Sequence, residues 1–371
     1  MRLQIVVIGL SITSSWGNGH ATVYRGLMRE LNRRGHQTLF LERDKPWYST
    51  TRDPLPPAWG EVSLYDSLGD LKKRFAETIQ SADCVIVGSY VPEGIAIGNW
   101  VTATAEGITA FYDIDTPVTQ SLVNAGKCEY LSARLISRYS LYLSFTGGRI
   151  LERIEQTYGG TVVRPFFCCV DPGQYYPEPG AKKYDLGYLG TYSPDRQRGL
   201  ERLLLSPASI RNAGSFVVGG PMYPETIMWP PNVKRIDHIP QGGHRTFYNS
   251  QRFTLNLTRA DMMRWGYSPS VRLFEAAACG VPIITDEWPG LGEFFQPGRE
   301  ILTAHSPRQV LEYLGDLTPK EAKGIADKAR MRVLREHTAA HRAAELEALI
   351  MNNGAHSPTP HPAETPISYE M

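Results

Sequence analysis

The chain has 371 residues, enough for two domains of ordinary size with substantial cores. Lysine plus arginine number 39 and aspartate plus glutamate 38, so the balance gives no electrostatic footprint for duplex nucleic acid or an anionic membrane. No apolar run reaches the length of a transmembrane segment, and the five cysteines, an odd number without metal-ligand spacing, fit reduced thiols in a cytoplasmic protein.

The opening MRLQIVVIGL is a short apolar strand without a signal peptide's cleavage pattern. Strands then alternate with helical patterns: QIVVIGL, ATVYRGLMRELNRRG, QTLFLER, DCVIVGS, ITAFYDID, LYLSFTG and TVVRPFF. This βαβ signature predicts a parallel, doubly wound sheet in a first Rossmann-like domain, residues 1–167. Three of its loops carry candidate chemistry. In SITSSWGNGHAT, Gly17 and Gly19 allow close backbone approach to a ligand, and His20 opens the first helix. His20 is either a surface residue behind a helix cap or a neutral base whose pKa the helix terminus lowers. In FYDIDTP, period-2 geometry predicts Asp113 and Asp115 on one side of the strand, poised to contact an acceptor or act as base, although Asp115 also suits a turn cap. SFTGG, Ser144 to Gly148, is either a tight turn or a set of N–H groups facing a phosphate or hydroxyl.

The stretch CCVDPGQYYPEPGAKK, residues 168–183, breaks the pattern and reads as an interdomain linker. A second alternating series fills residues 184–350: YDLGYLGT, DRQRGLERLLL, SFVVGG, VKRIDHI, RTFYNS, FTLNLT, then Trp265 to Phe295, EILTA, and a long charged helical pattern from Pro319 to about Ile350. Residues 351–371 are rich in proline and poor in large apolar residues, a composition that predicts disorder. Within Trp265 to Phe295, Ser268-Pro-Ser270 favours a helix start at about Ser270 or Val271, and Cys279-Gly280 with Pro282 closes VRLFEAAA. Such a helix start carries unpaired N–H groups and about half a positive charge, which suits a diphosphate. Glu275, one turn in, is either a surface carboxylate or an acceptor of two sugar hydroxyls.

RLFEAAACGVPIITD resembles the donor-nucleotide motif of the two-Rossmann-domain glycosyltransferases, the GT-B fold, whose pattern is E-x7-E followed by A-x-A-C-G-x-P. The chain is similar to the CgeB-like, spore-maturation-type members of the glycosyltransferase group 1 superfamily. The resemblance implies two facing Rossmann-like domains with an interdomain cleft, the donor on the second domain and the acceptor on the first. It also implies that the last helix packs back on the first domain. The start of the second domain, LGTYSPDRQRG, is similar to the superfamily's G-R-x-x-x-x-K-G, whose two cations neutralise the donor diphosphate. Gly190 leads it, Arg198-Gly199 takes the K-G place, Thr191 stands where arginine is expected, and Arg196 is a spare cation. VVGGP and the segment at His238 are similar to the loops that contact the nucleobase. Tyr267 occupies the position of the first Glu of E-x7-E, a departure that leaves inverting and retaining chemistry undecided.

The resemblance further implies a metal-independent transferase with no tightly bound cofactor, its donor a UDP, GDP or TDP sugar and its acceptor a glycan or small molecule. Asp113-x-Asp115 after a strand is also the metal signature of the single-domain glycosyltransferase fold, a reading disfavoured by the second Rossmann-like half. His20, Asp113 and Asp115 are the catalytic candidates. Gly19, Gly190, Thr191, Arg196, Arg198, His238, Arg259, Tyr267, Ser268, Ser270, Val271, Arg272 and Glu275 are the donor-binding candidates. A non-catalytic sugar-nucleotide or glycan-binding protein and a nucleotide-sugar epimerase, which shares the architecture, are the alternatives.

Overall fold

In the computed structural model of the protein, the described residues are 1–16, 19–53, 59–159 and 161–353. Gly17 and most of the tail expected to be disordered, residues 354–371, lie outside them. The first sheet is built from β1 Gln4–Gly9, β2 Gln37–Arg43, β3 Glu61–Tyr65, β4 Cys84–Gly88, β5 Ile108–Asp113, β6 Leu141–Ser144 and β7 Val162–Pro165. Its order is β3-β2-β1-β4-β5-β6-β7, with every pair parallel. The second sheet has β8 Tyr184–Leu189, β9 Phe216–Gly219, β10 Val233–Ile236, β11 Gln251–Asn256, β12 Ile283–Thr285 and β13 Leu302–Thr303. Its order is β10-β9-β8-β11-β12-β13, again parallel throughout. Central strands such as β4 and β5 are buried along their whole length, which is why they read as continuous apolar runs.

In both sheets the strand order reverses beside the first strand, between β1 and β4 and between β8 and β11. Loops leaving the carboxyl ends on either side of such a point diverge and open a crevice. The two crevices face one another.

Segment 168–183 carries more structure than a plain linker. Val170 forms a parallel bridge with Thr338, its N–H donating to the His337 carbonyl at 3.0 Å and its carbonyl accepting from Ala339 N–H at 2.8 Å. This bridge divides the helical pattern expected from Pro319 to Ile350 into two helices, Pro319–Glu336 and Ala339–Asn353. Helix Ala339–Asn353 lies against the first helix, His20–Arg33, so closely that a Cβ on Gly26 would stand 3.0 Å from the Ala339 Cβ. Ala339, Ala343, Leu346 and Ile350 share one buried cluster with Val23, Leu27 and Leu31, and with Phe274 and Phe294 of the second half. No helix among the described residues is long and apolar enough to cross a membrane.

Candidate functional site

Between the two sheets lies a cleft of about 540 Å³, within the size range of small-molecule sites. Its walls are the loops after β1, β4, β5 and β6 on one side, and those after β8, β9, β10 and β11 with helix Val271–Ala278 on the other.

Helix Val271–Ala278 begins where the sequence places it, with Ser270 as its N-cap in extended backbone. The Ser270 hydroxyl makes no cap bond and instead accepts from Arg272 Nε at 3.0 Å, so no side chain caps the first-turn N–H groups. Gly280, at φ 66, turns the chain out of this helix toward β12. Glu275 lines the cleft yet is buried, accepting from the Tyr248 hydroxyl at 3.1 Å. Burial lifts its pKa to about 7, against the opposing pull of the Tyr175 and Tyr248 hydroxyls and Arg272.

Arg272 is committed to the scaffold. It donates to the Tyr188 hydroxyl and to the Leu189 and Leu257 carbonyls, each at 3.0 Å, which ties the ends of β8 and β11 together. Gly190 makes room for it, since a Cβ there would lie 2.8 Å from Arg272 Nη1. Arg196 is different: its Nη2 donates to the Thr191 carbonyl at 2.8 Å, while its buried Nε has no partner. Burial, with Arg272 nearby, lowers its pKa, the signature of a cation that an anion would stabilise.

On the opposite wall, the loop after β1 is clamped by the buried Glu42 carboxylate. It accepts from the backbone N–H of Ile12 and Thr13 at 2.7 and 2.9 Å, and from the Thr13 hydroxyl at 2.6 Å. His20 opens its helix half-buried at the cleft, its ring 6.1 Å from that of Phe145. Its pKa is lowered by burial, against the raising influence of Asp115. Asp115 Oδ2 accepts from the Tyr90 hydroxyl at 2.8 Å and from Arg259 Nη1, across the cleft, at 3.2 Å.

Most of the residues singled out from the sequence converge here: Gly19, His20, Asp115, Gly190, Thr191, Arg196, His238, Arg259, Ser268, Ser270, Val271, Arg272 and Glu275 all line the cleft. Three do not. Asp113 is fully buried in the first domain, held by the Tyr142 hydroxyl and by the Thr119 hydroxyl at 2.7 Å, and burial raises its pKa to about 6. The expectation of two carboxylates on one side fails because β5 ends at Asp113, and Asp115 already sits in turn backbone at φ −140, ψ 49. Arg198 is exposed outside the cleft: two residues on a helix subtend about 200°, so Arg196 and Arg198 face opposite ways. Tyr267 stands at the domain junction with φ 51, its N–H donating to the Pro289 carbonyl at 2.7 Å and its carbonyl accepting from Gly147 N–H at 2.8 Å.

Tyr48, Tyr90, Tyr192, Thr258 and His244 also line the cleft without having been singled out. Tyr90 and Thr258 follow apolar strands closely, a position that identifies them as cleft candidates. Among the described residues no three His, Cys, Asp or Glu side chains are grouped to hold a metal.

Residues 196–348 match the protein family described as glycosyl transferase-like. No curated protein matches the chain in sequence. Among solved structures, sucrose-phosphate synthase from Thermosynechococcus elongatus is 14% identical, aligned over 96% of this chain and 100% of that one, at a TM-score of 0.66. Anabaena HepE in complex with UDP-glucose is 12% identical over 95% of this chain and 100% of that one, at 0.70. An α-glucosyltransferase in complex with UDP and a 13-mer DNA is 13% identical over 95% and 100%, also at 0.70. At these identities the likeness shows the fold. The chain therefore has the two-domain GT-B architecture, and the stretch of it that matches the glycosyl transferase-like family lies in the second domain.

Proposed function

We propose that the protein transfers a glycosyl group from a nucleoside-diphosphate sugar, a UDP sugar first among them, to a hydroxyl of a glycan or small-molecule acceptor. The observation that carries this reading is the wall formed by helix Val271–Ala278 and Arg196. On it a buried carboxylate, Glu275, stands one turn from a helix start without a side-chain cap, near an arginine whose Nε lacks a partner. Ribose hydroxyls would donate to Glu275, and the diphosphate would face the helix start and Arg196. In transfer, the acceptor oxygen bonds the anomeric carbon, the bond from that carbon to the diphosphate oxygen breaks, and its electron pair leaves with the diphosphate. The acceptor proton departs to a base, for which His20 and Asp115 are the cleft candidates. Arginines and a helix dipole supply the positive charge that this step requires without a metal ion.

In this reading residues 1–167 form the acceptor domain, 168–183 the connection and 184–350 the donor domain. The acceptor-side rim presents Trp16 and Trp47, both exposed, beside Ser15 and Tyr48, which line the cleft. Flat aromatic faces suit the apolar face of a sugar ring. The neighbouring charges pair among themselves, Arg52 with Asp44 at 2.6 Å and Arg25 with Asp53 at 2.9 Å, which favours an uncharged acceptor over duplex nucleic acid. The motif Glu275-Ala-Ala-Ala-Cys-Gly-Val-Pro supports a place beside the CgeB-like transferases, and five free cysteines fit a reducing cytoplasm. A non-catalytic nucleotide-sugar-binding protein is the second reading, favoured by Tyr267, which stands at the domain junction where relatives carry a glutamate beside the sugar.

A thermal-shift screen against UDP-, GDP-, TDP- and CDP-glucose tests the site. One nucleotide should raise the melting temperature of the wild type by mass action, and Glu275→Ala should abolish the shift. A shift that survives the substitution would remove Glu275 from the donor site. Release of nucleoside diphosphate on addition of candidate acceptors separates the transferase from the binding protein.

A further inference from the structure

Arg259 leaves the carboxyl end of β11 in the second domain, and Asp115 leaves that of β5 in the first. Their 3.2 Å ion pair thus joins the two walls of the cleft through opposite charges. It is partly open to solvent, with side-chain exposures of 36% for Arg259 and 14% for Asp115. Contact with solvent screens such a pair, and Arg259 is the more open of its two members. Arg259 also has a second carboxylate within reach, Asp195, 4.0 Å from its Nε. The same Asp115 oxygen accepts from Tyr90, whose backbone is held in the left-handed region at φ 65. Asp115 therefore keeps a hydrogen-bond donor, the Tyr90 hydroxyl, when Arg259 leaves it.

The remaining cleft arginines point the same way. Arg272 has its Nε, Nη1 and Nη2 engaged with Ser270, Tyr188, Leu189 and Leu257. Arg196 gives one bond to Thr191 and keeps its Nε without a partner. A diphosphate carries more than one negative charge, and the cleft cation able to join Arg196 is the one now on Asp115.

We propose that Arg259 is a cation shared between Asp115 and the donor diphosphate, so that donor binding draws it away and frees Asp115 for the acceptor hydroxyl. The inference rests on the nucleotide-sugar reading of the cleft. It makes binding ordered, donor before acceptor, because an acceptor arriving first meets an Asp115 already occupied. The exchange needs only rotation of a long side chain, with the two domains fixed.

Calorimetric titration with UDP of the wild type, Asp115→Asn, Arg259→Ala and the double variant tests it. Removing the competing carboxylate should tighten UDP binding about three- to tenfold, the range of a weak ion pair. Arg259→Ala should weaken binding, and in that background Asp115→Asn should have no further effect. UDP affinity unchanged or weakened by Asp115→Asn, or a gain that persists without Arg259, overturns the exchange. Should the Asn variant not fold, Asp115→Ser removes the same charge and is read the same way. The nucleotide is the one that the thermal-shift screen selects, UDP being the first tried, and no binding of UDP, GDP, TDP or CDP to any of the four folded proteins would overturn the nucleotide site itself, and the exchange with it.

Discussion

Burial opposes ionisation of Glu275 more strongly than its hydroxyl partners and Arg272 favour it, so the carboxyl titrates at about 7 in the fold against 4.5 when unfolded. Between these values the native protein holds a proton that the unfolded chain has lost, so this group's contribution to stability falls as pH rises from 4.5 to 7. Glu275→Gln keeps the shape and the bond from Tyr248 but cannot ionise. Urea unfolding should find the variant equal to the wild type at pH values below about 4 and more stable at pH 8, by up to about 3 kcal/mol. Parallel pH profiles would show that the carboxyl titrates normally. At this scale the sequence is legible where a residue's place follows from an element boundary. Ser268 to Arg272 sit at a helix start that proline, serine and the C-terminal glycine define between them, and the cleft lies there. It is illegible where a side chain's direction depends on a turn. Asp113 and Asp115 differ by two residues, and the end of β5 between them sends one inward and one to the cleft. Glu42 gives no local sign that its carboxylate will clamp a loop thirty residues earlier.

Helix His20–Arg33 meets helix Ala339–Asn353 with Gly26 close against Ala339. Gly26→Val would force extra methyl groups into a contact that a single Cβ already brings to 3.0 Å. It should cost on the order of 1–3 kcal/mol, read as an earlier urea midpoint at unchanged slope. A midpoint equal to the wild type would show that the helices move apart freely. Among the elements, alternation of apolar strands with amphipathic helices is enough to foresee both parallel sheets. The boundary missed at His337-Thr338 has its cause elsewhere: the backbone of Val170, more than 160 residues away, takes the hydrogen bonds that would have continued the helix. Strand β3, at the sheet edge, is largely half-buried and so lacks the apolar run that marks the central strands.

In the whole molecule, the second half of the chain supplies the outer cover of the first. A chain ending at Glu336 would lack Ala339, Ala343, Leu346 and Ile350 and uncover the side of helix His20–Arg33 against which they lie. Such a truncation should bind the dye ANS and aggregate on heating, while retaining far-ultraviolet circular dichroism from both sheets. A truncated chain that melts like the full one would show the two domains to be independent. The same feature sets a timetable for synthesis. The helix that begins at His20 is made well before the segment that shelters it, which follows some 306 residues later counted from Arg33 to Ala339. At ordinary translation speeds that interval is roughly 15–60 s, during which the nascent chain carries a bare apolar stripe that nothing of its own can yet cover. A chaperone holding that stripe would be displaced, in the end, by the protein's own helix Ala339–Asn353.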